Sequence, residues 1–156
     1  MASSTKQLIE RFLSSKRIAA IGVSRDPKDF TRAVVSEFQT QGYDIVTVNP
    51  KAEANGAVTV FRRIQEVSPS VEAALIMTPS SVTESVVRDC KEAGIGFVWM
   101  YRAVGKGAVS EAAVEFCHQN GIDVIAGHCP LMFLPGAAAI HRFHGFLLKV
   151  IGKYPK

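Results

Sequence analysis

Gly22-Val23-Ser24 closes an apolar run, Ile18 to Ile21, and opens into a polar segment, Arg25-Asp26-Pro27-Lys28-Asp29. A buried strand that ends in small residues and hands over to a helix gathers backbone N–H groups and a positive helix end at one point. That chemistry suits a phosphate. Two further segments have the same character, Asn49-Pro50-Lys51 after a second apolar run and Thr78-Pro79-Ser80-Ser81 after a third. Each has a plain alternative: Ser24 can cap or turn the chain, Asn-Pro initiates turns, and Thr78 to Ser81 can start a helix. The functional reading rests on all of them sharing one rim of a sheet.

The identity of the residues at 49–51 narrows the ligand. A dinucleotide-binding unit places a carboxylate on the ribose hydroxyls, roughly 20 residues beyond its glycine-rich turn. Asn49, Pro50 and Lys51 stand there instead. A carboxylate repels a phosphorylated ribose and a lysine attracts one, so coenzyme A and NADP both qualify. The first turn also carries Ser24 and Pro27 where Gly-x-Gly-x-x-Gly has its second and third glycines. That departure weighs against the dinucleotide, and an NADP-dependent oxidoreductase is the alternative reading.

Taken together, Gly22-Val23-Ser24 with Asp26-Pro27, Gly42-Tyr43, Val48-Asn49-Pro50-Lys51, Thr78-Pro79 and His128-Cys129-Pro130 resemble a known family. It comprises the small CoA-binding proteins related to the amino-terminal domain of the succinyl-CoA synthetase α subunit, and the resemblance covers most of the chain. The resemblance implies coenzyme A, or an acyl-CoA, bound across the carboxyl ends of the strands. It assigns Gly22 to close backbone approach, Val23 and Ser24 to the pyrophosphate, and Asn49, Pro50 and Lys51 to the phosphorylated ribose. Thr78, Pro79 and Ser80 fall to the adenine or pantetheine side, while Arg25 and Lys28, with Arg32, add charge. The ligase reaction of the synthetase, which needs a phosphohistidine and further domains, is not expected, and no catalytic residue is assigned.

The elements that must position these residues alternate strand-like and helix-like along the chain, the pattern of a parallel sheet covered by helices. Helices are expected over Thr5 to Leu13, Thr31 to Thr40, Val82 to Ala93 and Ser110 to Gln119. Strands are expected over Arg17 to Val23, Asp44 to Val48, Val58 to Phe61, Val71 to Met77, Phe97 to Tyr101 and Asp123 to Ala126. A short helix-like piece around Arg62 to Val67 forms the third crossover. The fold class is thus a Rossmann-like three-layer α/β domain, with five or six mostly parallel strands and a carboxyl-terminal helix.

Composition sets the outer limits. The 156 residues fit one domain, and 47% hydrophobic with 21% charged residues is ordinary for a soluble globular protein. A net charge of +4 scattered along the chain gives no nucleic-acid footprint, and no apolar stretch is long enough to span a membrane. Three cysteines without a CxxC pair fit a reducing cytoplasm. His128, Cys129, His141 and His144 match no zinc spacing, so no metal is expected. Residues 127–156 read as an apolar loop and a helix over Ala137 to Ile151, whose stripe of Ile140, Phe143, Leu147 and Ile151 packs on the domain or on a second copy. A homodimer through this segment is the expected assembly.

Overall fold

The order of the six strands decides where a ligand can sit. The computed structural model describes residues 3–51, 60–103 and 105–135. Within them, strands β1 (Arg17–Ile21), β2 (Asp44–Val48), β3 (Val60–Phe61), β4 (Ala73–Ile76), β5 (Phe97–Met100) and β6 (Asp123–Ala126) form one sheet. All neighbouring pairs are parallel, in the order β3-β2-β1-β4-β5-β6. The order reverses between β1 and β4, and a crevice opens at such a point beyond the carboxyl ends of the two strands.

The strands are near-continuous apolar runs because both faces of the sheet are covered. Ile18 and Ala20 of β1 point into one core, with Phe12, Val34, Phe38, Leu75 and Trp99. Ala19 and Ile21 point into the other, with Val48, Ile76, Val87, Val98 and Cys117. Helices α1 (Thr5–Leu13) and α2 (Phe30–Thr40) supply the first layer, α3 (Ser80–Glu92) and α4 (Glu111–Gln119) the second. Ser4 and Gln7 close a capping box on α1, and Phe12 meets Phe97 and Trp99 edge to face at 5.3 and 5.2 Å.

The expected bounds of α1, β2 and β6 coincide with the observed ones. β1 stops at Ile21, two residues before the expected end, because Gly22 takes φ +90 and leaves the extended region. α3 starts at Ser80 rather than Val82, directly after its cap residue Pro79. β4 is shorter than expected, as is β5 by one residue. The β3–β4 connection contains a single 3₁₀ turn, Ile64–Glu66, in place of a full crossover helix. The second helical layer is therefore incomplete beside α3, and that gap leaves a cleft at the carboxyl ends of β1 and β2. The expected start of β3 at Val58 and the helix over 137–151, with His141 and His144, lie outside the described residues. No helix among the described residues is long and apolar enough to cross a membrane.

Candidate functional site

A cleft of about 670 Å³ occupies the gap. Its floor is Ile21, Gly22 and Val48 from the ends of β1 and β2; Ile64 and α3 residues Val82 and Val86 form apolar walls. Asn49, Pro50 and Lys51 line it from the end of β2, Thr78 and Pro79 from the end of β4. Six of the eleven residues singled out in the sequence thus meet in one cleft: Gly22, Asn49, Pro50, Lys51, Thr78 and Pro79.

Gly22 is required by the approach of two strand ends. A Cβ on it would lie 2.9 Å from the Met77 carbonyl carbon, the Thr78 nitrogen and Thr78 Cγ2. Its positive φ adds a second reason for glycine. Asn49 ties the site together: its Nδ2 donates to the Val23 carbonyl at 2.8 Å, and its Oδ1 accepts from the Lys51 N–H at 2.9 Å. Both ends of its amide are thereby engaged, fixing the chain on which Lys51 stands. The Thr78 hydroxyl is 3.1 Å from Thr83 Oγ1, which in turn reaches the Pro79 carbonyl.

The other five fall elsewhere. Val23 is buried in the core that α1 and α2 cover. The Ser24 N–H donates to Thr31 Oγ1 at 2.9 Å, and Ser24 Oγ accepts from the Asp26 N–H at 3.1 Å. Arg25 is exposed, and Ser80 is the first residue of α3. Lys28 and Arg32 line a separate hollow of about 450 Å³ along α2. The expected free N–H groups of the first turn are largely occupied. Asp26 Oδ1 accepts from the Lys28 N–H, and the Asp29 carboxylate caps α2 by accepting from the Thr31 N–H at 2.8 Å. Short polar side chains that bond two residues ahead compete in this way for turn donors.

The vacant helix end is that of α3. Its cap residue, Pro79, makes no side-chain hydrogen bond, and no acidic residue stands in its first turn. The positive end of α3 thus adjoins a cleft into which, among the described residues, Lys51, Arg62 and Arg63 bring three cations against one carboxylate, Asp89. Sequence reasoning missed Arg62 and Arg63, with Ser85 and Asp89 of α3. The signal for the arginines was their position just after β3, at the same rim as Lys51. Nothing in the α3 sequence distinguishes a cleft-facing residue from a solvated one.

Comparison with known proteins decides the family. A family model described as a CoA binding domain matches residues 16–135. The chain belongs to this CoA-binding domain family. Among curated relatives, this domain is similar to the α subunit of an ADP-forming acetate–CoA ligase of Pyrococcus furiosus, 27% identical over 130 residues. The match takes in 78% of the chain but 28% of the ligase subunit, about a quarter of its length. An uncharacterized Bacillus subtilis protein, YneT, is 26% identical, over 80% of this chain and 87% of its own. A solved hypothetical protein of Pyrococcus horikoshii shares the fold with a TM-score of 0.73 at 20% identity, covering 83% of this chain and 88% of that one. An acetyl-coenzyme A synthetase of Candidatus Korarchaeum cryptofilum, solved with phosphate and ADP, aligns at a TM-score of 0.63 and 25% identity, over 74% of this CoA-binding domain and 26% of the synthetase.

Beyond the cleft, the 127–134 segment packs against β5. Trp99 Nε1 donates to the Gly127 carbonyl at 2.7 Å, and His128 takes a left-handed φ of 66. Burial and the nearby Arg102 guanidinium lower the His128 pKa. Burial raises the Cys129 thiol, against the pull of N–H groups from Leu131 and Met132 and of the Tyr101 hydroxyl. Burial likewise pushes Cys90 up to about 12 and Cys117 up to about 11. All three thiols are buried, so at pH 8 they stay protonated and covered. Native protein is expected to resist iodoacetamide at all three positions and to take three labels after denaturation; rapid native labelling of Cys129 would contradict its placement. Among the described residues no group of three His, Cys, Asp or Glu side chains could hold a metal ion.

Proposed function

We propose that this chain binds coenzyme A, or an acyl derivative of it, in the cleft at the carboxyl ends of β1, β2 and β4. The observation that carries the reading is the convergence of Lys51, Arg62 and Arg63 with the uncapped end of α3, around an apolar floor at the point where strand order reverses. The anionic end of the ligand lies among the cations, its phosphorylated ribose toward Lys51. Family membership supports the choice of ligand.

The role is binding rather than ligation. Among the described residues the cleft lining holds two hydroxyls, three cations and one carboxylate, and neither a thiol nor an imidazole. Of these, the Ser85 hydroxyl is engaged with the Val82 carbonyl and the Thr78 hydroxyl lies 3.1 Å from Thr83 Oγ1.

A thermal-shift series with CoA, acetyl-CoA, dephospho-CoA, NADP and NAD tests the proposal. A ligand at about 100 times its dissociation constant adds about 2.7 kcal/mol to stability. Stabilisation by CoA and acetyl-CoA but not by NADP is the expected result. Stabilisation by NADP alone favours the oxidoreductase reading, which shares Lys51, and no shift with any ligand leaves the fold without this function.

A further inference from the structure

The far end of the cleft differs chemically from its cationic rim. Asp89 lies nine residues along α3 from Ser80, about 14 Å at 1.5 Å per residue, and lines the cleft with Ser85, Val82, Val86, Pro50 and Ile64. The Ser85 hydroxyl donates to the Val82 carbonyl at 2.8 Å, so toward a ligand it presents lone pairs. Asp89 is held in place: Gln65 Nε2 donates to its Oδ1 at 3.2 Å and to Glu92 Oε2 at 3.1 Å. These two bonds orient the Gln65 amide, and its buried Oε1 has no hydrogen-bond partner among the described residues. The polar groups that α3 turns to the cleft, Ser85 and Asp89, are therefore acceptors, set beside the apolar Val82 and Val86.

A planar ring with an exocyclic amine matches that arrangement, since its faces are apolar and its edge donates. A ring with an oxo group there sets lone pair against lone pair at the Asp89 carboxylate, which is unfavourable. We propose that Asp89, held by Gln65, is the specificity-determining residue that selects a 6-amino purine over a 6-oxo purine. This rests on the reading that the cleft takes a CoA-like nucleotide.

Calorimetric titration of the whole chain with adenosine 3′,5′-bisphosphate and guanosine 3′,5′-bisphosphate, alongside CoA, tests it. The unaltered protein should prefer the adenosine ligand by at least about tenfold. Asp89→Asn, whose amide can donate to an oxo group, should bring the ratio close to one. Lys51→Glu should weaken both ligands and leave the ratio unchanged. Equal affinities in the unaltered protein, or an unchanged ratio in Asp89→Asn, overturn the inference while CoA binding stands. Failure to bind CoA and both bisphosphates overturns the underlying reading and the inference together.

Discussion

Gly22→Ala is expected to cost about 3 kcal/mol of stability, roughly 6–12 °C in Tm for a chain of this length, and to abolish ligand binding. Two effects add. A side chain at φ +90 is strained by about 1–2 kcal/mol, and its Cβ also collides at 2.9 Å with backbone atoms of Met77 and Thr78. Backbone cannot swing aside as a flexible side chain can, so the ends of β1 and β4 must separate. That separation deforms the cleft floor. Gly42 provides the control, with φ +89 and, among the described residues, nothing within 4 Å of an added Cβ. Gly42→Ala should therefore cost only about 1 kcal/mol. Equal losses for the two variants, by thermal or denaturant unfolding, would show that the approach of β1 to β4 imposes no steric demand.

The double variant Lys51→Glu, Arg62→Glu should weaken CoA by about a hundredfold while leaving Tm nearly unchanged. Each charge-assisted contact is worth about 1.5–3 kcal/mol, discounted here because both side chains are exposed. About tenfold per reversal remains. Dephospho-CoA should lose less, about tenfold, because it lacks the ribose phosphate assigned to Lys51. The unaltered protein should also bind CoA more weakly as salt rises, since exposed charges are screened. Equal losses for CoA and dephospho-CoA in calorimetry would remove Lys51 from the ribose phosphate.

The parallel sheet was legible because burial on both faces leaves a plain mark. Runs such as Ala73-Ala74-Leu75-Ile76 have no polar interruption. The rim was legible in part, since Gly22, Asn49-Pro50-Lys51 and Thr78-Pro79 all end strands. Roles were harder to read than places. Asn49 reads as a turn residue or a ligand contact, yet its amide bonds the first turn at Val23 and the backbone of Lys51. The first of these bonds joins the end of β2 to the end of β1 and depends on their register. Ser24 likewise reads as a turn residue or a ligand contact, and Thr31 and Asp26 engage it seven and two residues away. Arg62, Arg63 and Asp89 escaped notice because the cleft exists only where a crossover helix is absent, and a short 3₁₀ turn has no strong periodic signature.

Calorimetric titration of CoA into the unaltered protein and Val82→Trp tests the site most directly. Val82 lines the cleft and is 43% exposed, so a bulky indole there fills the cleft without disturbing either core. Saturable binding to the unaltered protein, lost in the variant at unchanged Tm, is the predicted result. Undiminished binding to the variant would place the CoA site elsewhere on the chain, and no binding to the unaltered protein would contradict the functional reading itself.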